Sequence, residues 1–497
     1  MGYKDLRHWI TALEEEGDLL RITEEVDWNL EIGEILRRSM FSRGPAILFE
    51  NIKGYKNTWC RKLFSNGMSS RARVAMMFGM PRGIPYNELA DLLRKRLREP
   101  VDPVVVTSGP VKENIIKGKD IDLYQIPVPQ WHPYDGGRYI NTWAGTVTRD
   151  PDTGELNVGT YRGMIVDKNR ISECLLSSQD WGKHFAKYKR MNKPMPAAVV
   201  YGWDPSMVFA GSSPFPGDEY KYMGAIRQEP VPLIKCETSD LMVPASAEIV
   251  VEGTISPDLS TYEKEGPFAE FTGYYGGWGK MGPVLQVSCI THRNDPIFRG
   301  NMEGMWQGAA NETGHITYIT YNALMWDIFE KQGLASGIVD IVPAPMAMIK
   351  IRKSYNGQPR QIAAALWGSK LPTNILRTII VVEDDVDIHD LRSVQLACHA
   401  NVDPIKDLFV FPLDLSNPDD TAGHFDPEEF QLGGPKSTRL LVDATVDWAT
   451  NPKKPEWGNR RHPPKASEYP DDSVQKLVSA KWKKYGFRDQ AGGSCVK

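Results

Sequence analysis

Hydrophobic periodicity changes twice along this chain of 497 residues, and those two changes constrain the fold more than any single motif does. Up to about residue 120, helical and strand periods alternate. Leu6, Trp9, Ile10 and Leu13 lie at helical spacing over 3–16, and Gly17 is placed to stop that helix. Strands are predicted over 19–26 and 46–50, and helices over 32–43 and 86–98, the last ended by Pro100. Between about 125 and 310 helical periods become scarce. Short β-rich runs, such as 198–201, 248–255 and 284–290, alternate with turns dense in Gly, Pro, Ser and Asp, the pattern of a sheet sandwich or barrel. From about 316 the alternation returns, with a helix over 318–332, strands at 338–342 and 378–382, and a helix after the acidic run 383–387. A Pro- and Lys-rich loop over 451–464, a terminal helix over 472–485 and a Gly-rich end complete the chain. At about 150 residues per domain this length suggests roughly three domains, and the periodicity places them at 1–120, 121–315 and 316–497. The predicted class is a multidomain α+β or α/β protein with a β-rich centre.

Composition narrows the function. Hydrophobic residues at 41% and charged residues at 25% describe an ordinary globular chain. Lys+Arg 59 against Asp+Glu 63 gives a net charge of −4, which argues against nucleic acid or an anionic membrane as partner. No apolar run of about 18 residues is present, so no spanning helix is expected. The opening Met1-Gly2-Tyr3-Lys4-Asp5-Leu6 lacks the apolar core of a signal peptide, and Leu6 breaks a myristoylation pattern. Cys60, Cys174, Cys236, Cys289, Cys398 and Cys495 are scattered with no CxxC pair, as reduced cytoplasmic thiols would be. The expectation is a soluble cytoplasmic enzyme.

Several familiar motifs fail on context. Gly277-Trp278-Gly279-Lys280-Met281-Gly282 matches GxGxxG, but Pro283 and a β-like run follow where a dinucleotide site needs a helix. The run Glu383-Asp384-Asp385-Val386-Asp387 lacks the glycine and spacing of a calcium loop and reads as capping before a helix. The nine histidines show no HExxH spacing, and neither a GxSxG elbow nor a P-loop is present.

Three stretches carry more. In Glu265-Gly266-Pro267-Phe268-Ala269-Glu270 the two carboxylates would sit about 140° apart on a helix and on opposite faces of a strand. Gly266-Pro267 breaks both structures, so a turn can bring the pair to one pocket and split it into an acid and an ionised partner. Asn157-Val158-Gly159-Thr160-Tyr161-Arg162-Gly163-Met164 sets a lone arginine in a β-rich stretch. Ser212-Ser213-Pro214-Phe215-Pro216-Gly217-Asp218-Glu219-Tyr220 is a small-residue loop able to wrap a phosphate. Each also reads as ordinary surface or turn, and none decides alone.

In combination and in order, these segments resemble the UbiD family of prenylated-flavin-dependent decarboxylases. The likeness also takes in Leu6-Arg7 with Trp9, the strand Pro45-Ala46-Ile47-Leu48-Phe49-Glu50, Cys236-Glu237-Thr238, Glu252-Gly253, the acidic run 383–387, Asp403-Pro404 and Leu441-Val442-Asp443-Ala444-Thr445. The resemblance implies an N-terminal α/β domain, a central split β-barrel like that of flavin reductases, and a C-terminal α/β domain docked across subunits of a homodimer or larger homo-oligomer. It implies prenylated FMN, made by a separate flavin prenyltransferase and held through its phosphate by Mn2+ or Mg2+ with K+ nearby. Its substrates would be aromatic, heteroaromatic or α,β-unsaturated carboxylic acids, with CO2 as product or co-substrate.

By position in the motifs, Glu270 looks like the acid that reprotonates carbon, and Glu265 and Arg162 look like the rest of a Glu–Arg–Glu network. A cation beside Glu265 would favour its charged form, while a desolvated Glu270 would carry the proton. Asn157 and Glu219 fall on metal-ligand positions; where the family usually has a histidine this chain has Asp180, with His184 as the rival. Cofactor contacts fall on Asn157, Thr160, Tyr161, Arg162, Gln179, Ser212, Ser213, Pro214, Glu219 and Lys370. Tyr274, Tyr275 and Trp278 among glycines suggest an aromatic lid, or a packed surface loop. A flavin-binding subunit of a larger carboxylase complex and an FMN oxidoreductase on a similar barrel are the competing functions.

Overall fold

The computed structural model describes residues 2–177, 179–215, 217–277, 280–305, 311–371, 376–413, 437–463 and 471–487. The first helix, Leu6–Glu15, starts at Asp5, whose carboxylate accepts the His8 N–H at 2.9 Å, and buries Leu6, Trp9, Ile10 and Leu13. Gly17 follows at φ +70°, a left-handed conformation that glycine adopts without strain. The strand predicted over 19–26 is shorter, Leu19–Ile22, and Val26 touches Ile52 only as an isolated bridge. The N-terminal sheet runs Leu19–Ile22, Ala46–Phe49, Lys62–Ser65 and Ile297–Arg299. Its last strand comes from the far end of the β-rich centre, so that region is stitched to the N-terminal layer by main-chain bonds.

The central sheet has eight strands and is antiparallel throughout. From edge to edge it runs Leu156–Gly159, Gly145–Arg149, Met195–Tyr201, Ile249–Ile255, Val284–His292, Arg170–Glu173 and Gly163–Asp167, with Asn114–Lys117 also paired to the 284–292 strand. The two outermost strands are consecutive in sequence, joined only by Thr160, Tyr161 and Arg162. Four Cα steps span at most about 14 Å. The sheet must therefore curl until its two edges face one another, although among the described residues no pairing closes the ring. Arg162 sits on that seam.

Helices Asp180–Arg190, Ser206–Gly211 and Glu219–Arg227 interrupt the region where helical periods had looked scarce. The first buries Trp181, His184 and Phe185 at helical spacing, but its lysines and Gly182 mask the period. The 20-residue helix Glu312–Lys331 begins six residues before the predicted one. Ile316, Ile319 and Ala323 join the N-terminal core, and Tyr321, Met325 and Phe329 join the C-terminal one. A mixed five-stranded sheet follows, in the order Ile338–Val342, Ala347–Ile351, Thr378–Glu383, Ser437–Asp443 and Leu408–Leu413. The cap of helix Leu391–Asn401 is Asp390, which takes the Arg392 and Ser393 N–H groups, rather than the acidic run before it. The terminal helix is Asp472–Lys481, followed by a 3-10 turn at Trp482–Tyr485. The whole is a mixed α/β, multi-core architecture. Among the described residues no helix is long and apolar enough to cross a membrane. Among the described residues Cys60, Cys174, Cys236, Cys289 and Cys398 form no disulfide; Cys495 lies outside them.

Candidate active site

The seam carries the site. Arg162 leaves it buried, with 7% of its side chain exposed, and meets both predicted carboxylates. Its Nε and Nη2 donate to Glu265 Oε1 and Oε2 at 2.9 and 3.0 Å, a bidentate fork, and its Nη1 donates to Glu270 Oε1. The turn read from Gly266-Pro267 does bring the two acids together. Glu265 ends the strand Glu263–Glu265, and Glu270 follows the strand Phe268–Ala269. Gly266 has φ +90°, and a Cβ there would lie 2.1 Å from the Gly277 carbonyl oxygen, so only glycine passes. Gly277 in turn leaves room for the guanidinium, because its own Cβ would stand 2.5 Å from Arg162 Nη2.

The burial order of the acids is opposite to the expectation that Glu270 is the desolvated one. Glu265 is 1% exposed and Glu270 12%. Glu265 is held further by the Tyr139 hydroxyl, which donates to its Oε1 at 2.8 Å.

Sequence reasoning missed what holds this turn. Gly136 N–H donates to Pro267 O at 2.7 Å, and Asp135 Oδ1 accepts the Ala269 N–H at 3.0 Å. A Cβ on Gly136 would meet the Gly266 oxygen at 2.2 Å. Behind the seam lies a further acid, Glu173, 1% exposed and bonded through both oxygens to Asn141 Nδ2. Burial raises its pKa well above the carboxylate range; Asn141 works against the rise and nearby Glu265 adds to it.

The other side of the seam gathers the predicted cofactor and metal residues. Glu219 is 4% exposed, takes the Val158 N–H at 2.9 Å, and is pushed up to about 8, chiefly by burial. Asn157 lies on the same strand as Val158 and exchanges long bonds of 3.3 and 3.4 Å with the Tyr161 hydroxyl. The Tyr161 ring stacks on Trp181 at 4.2 Å, and Trp181 Nε1 donates to Gln179 Oε1 at 3.1 Å. Thr160 is tied to the last residue of helix Ser206–Gly211 by its N–H on Gly211 O at 3.0 Å. Ser212 and Ser213 donate their hydroxyls back to Val208 O and Phe209 O. Lys370 reaches in from the C-terminal part, bonding Asp180 Oδ2 at 2.8 Å and Phe215 O at 3.0 Å. Burial pushes the Asp180 carboxyl up, but hydrogen bonds from Lys183 and Lys370 outweigh it and hold the group below its usual range. Asp180 and Lys370 both act electrostatically on Glu219.

His184 turns elsewhere, its Nδ1 3.0 Å from Thr148 Oγ1 and its Nε2 3.9 Å from Asp150. Among the described residues no three His, Cys, Asp or Glu side chains form a metal cluster, so a cation here would need the Asn157 amide beside two carboxylates. The GxGxxG stretch opens no helix: Tyr275–Gly276 and Lys280–Gly282 are strands. Of the aromatic lid, Tyr274 is 52% exposed, and Trp278 lies outside the described residues, as do Gly279 and Pro216.

A buried arginine is thus shared by two carboxylates, and a buried Glu219 lies within the electrostatic reach of Asp180 and Lys370. Comparison with known proteins gives the chain a family. The 3-octaprenyl-4-hydroxybenzoate carboxy-lyase N-terminal domain matches residues 10–93, its Rift-related domain 104–306 and its C-terminal domain 316–444. An uncharacterized protein of Synechocystis sp. is 32% identical over 98% of this chain and 97% of its own. The vanillic acid decarboxylase of Sedimentibacter hydroxybenzoicus in its closed form superposes with a TM-score of 0.84 at 29% identity, over 98% of this chain and 100% of that one. An evolved dimeric form of the UbiD-class enzyme HmfF from Pelotomaculum thermopropionicum, in complex with prFMN, gives 0.75 at 25% identity, over 96% and 100%. The chain belongs to the UbiD family and is a carboxy-lyase.

Proposed function

We propose that this enzyme catalyses the reversible, non-oxidative decarboxylation of an aromatic, heteroaromatic or α,β-unsaturated carboxylic acid with prenylated FMN as cofactor. The observation that carries the reading is Arg162 touching Glu265 and Glu270 at once. When bound, the prenylated flavin supplies the electron sink that loss of CO2 from an sp² carbon requires. HmfF, with prFMN in its structure, supports that cofactor.

Glu265, anchored by the arginine fork and the Tyr139 hydroxyl, keeps Arg162 in place. Glu270, the more exposed acid, carries a proton to the carbon that has lost its carboxylate. When Glu270 is protonated its pairing with Arg162 weakens, and Arg162 Nη1 can turn to orient the substrate carboxylate.

The residues present fit the metal and the phosphate. A buried Glu219, an amide oxygen of Asn157 and the Asp180 carboxylate, the last paired with Lys183 and Lys370, would offer a hard-oxygen donor set suiting Mn2+ or Mg2+. Lys370 beside Ser212, Ser213 and Pro214 would take the phosphate, and Thr160, Tyr161 and Gln179 would line the flavin. We also infer that the curled central sheet is a split barrel, that the chain divides near residues 120 and 315, and that it works as a homo-oligomer. Helix Asp472–Lys481, which buries no residue of its own, supports the last point.

The test uses protein co-expressed with a flavin prenyltransferase, assayed anaerobically on a panel of such acids by CO2 release and by deuterium uptake from D2O. Wild-type protein places one deuterium at the former carboxyl carbon. Glu270→Gln retains the cofactor and loses turnover by at least about a hundredfold. Near-normal rates in that variant overturn the proton-donor assignment.

A further inference from the structure

The turn that presents Glu270 is clamped by a loop some 130 residues earlier in the chain. Three of its groups grip it: Gly136 N–H on Pro267 O, Tyr139 on Glu265, and Asp135 on Ala269 N–H. The last differs in kind. Asp135 is a carboxylate with 7% exposure, and its second oxygen accepts the His132 N–H at 3.0 Å. It holds the N–H of the residue before Glu270, while main-chain bonds hold Glu270 itself, its N–H on Tyr274 O at 2.9 Å and its carbonyl oxygen accepting the Gly273 N–H at 2.8 Å; Asp135 is therefore the one titratable group among these contacts.

We propose that Asp135 is a positioning residue of the reaction: its ionised carboxylate fixes the backbone at Ala269 and thereby the reach of Glu270, and the hold relaxes when Asp135 takes up a proton. The consequence for turnover rests on the role proposed for Glu270; the mechanical hold does not. A carboxylate accepting two N–H groups makes charge-assisted bonds of roughly twice the strength of neutral ones, so protonation weakens both.

The surroundings allow that proton near neutrality. Burial raises the Asp135 carboxyl to about 7, against the pull of the Ala269 and His132 amides and of Arg162. The charged and titratable groups around it are Arg162, Glu270 at the end of the same turn, and Tyr275 on the facing strand, with His132 and Glu303 beyond. Glu303 is also raised to about 7 by burial, so a pH limb alone does not identify Asp135. The variant does.

The experiment measures backbone hydrogen exchange in the peptide containing Ala269, on holoenzyme between pH 5.5 and 8.5, corrected for intrinsic rates. Steady-state kcat and KM are taken over the same range for wild type and Asp135→Asn. Wild-type protection of Ala269 is expected to fall as pH drops through about 7, and in Asp135→Asn it is low and flat. The variant keeps its cofactor absorbance and a KM within about threefold, loses about tenfold in kcat, as removal of one charge-assisted hydrogen bond implies, and lacks the limb near neutrality. Wild-type protection that is flat with pH overturns the proposal, as does an Asp135→Asn enzyme with normal kcat and an unchanged limb. If the variant fails to fold, the wild-type exchange series decides by itself. Exchange that behaves as expected in a protein inert toward every acid upholds the hold and sinks the decarboxylase reading instead.

Discussion

Replacing Arg162 by Met removes the cation that, among the described residues, pairs with both Glu265 and Glu270, whose side chains are 1% and 12% exposed. Breaking a buried ion pair by removing one partner typically costs about 3–5 kcal/mol, because the remaining charge is uncompensated. The Tyr139 hydroxyl stays on Glu265 Oε1 at 2.8 Å and offsets about 1–2 kcal/mol of that. The expected loss is therefore about 3 kcal/mol, a large share of the roughly 5–15 kcal/mol that holds a typical protein folded.

The second arm of the cycle isolates the cause. Glu265→Gln alone keeps Arg162 paired with Glu270 and costs about 1–2 kcal/mol. In the double variant one of the two carboxylates that lost the arginine is gone, so the loss is about 2–3 kcal/mol rather than the sum of about 4–5, and the two effects miss additivity by about 2 kcal/mol. Urea unfolding at pH 8, followed by far-UV circular dichroism at one protein concentration, reads all four proteins. If Arg162→Met costs less than about 1 kcal/mol, or the double variant equals the sum of the singles, the pair is not the buried, mutually dependent unit described here.

Two further outcomes follow from single contacts. Because the Glu173 carboxyl is raised in the folded protein, its contribution is present below the ordinary carboxylate range and is lost as pH rises toward the folded value. Glu173→Gln carries no such loss, so its stability relative to wild type should climb between pH 5 and 9, by at most about 1.4 kcal/mol per pH unit; a difference constant with pH would show that the group is ionised in the fold. For the metal, Asp180→Ala should weaken divalent-cation retention by at least about tenfold in elemental analysis of the holoprotein, and His184→Ala should not. The reverse pattern would move the third ligand to His184.

Why the acids were legible and their clamp was not is a matter of sequence distance. Glu265 and Glu270 flank a Gly-Pro step, so a local rule sufficed to expect a turn that unites them, and Leu6, Trp9, Ile10 and Leu13 showed their helix for the same reason. Arg162 could be placed beside them only through resemblance, because its position depends on strand order. Leu156–Gly159 and Gly163–Asp167 follow each other in the chain yet lie at opposite edges of the sheet, and no local period records that. Asp135, Gly136 and Tyr139 carry no local signal that sets them against residues 265–269; only the fold does. The opposite burial of the two acids has the same origin: Glu265 is sealed by Tyr139 and Arg162, both more than a hundred residues away in sequence. Local chemistry therefore pointed to the pair of acids, while the groups that hold them were decided by long-range pairing. A substitution in the 130–139 loop should accordingly change the reaction without touching any residue that sequence reading marks as catalytic.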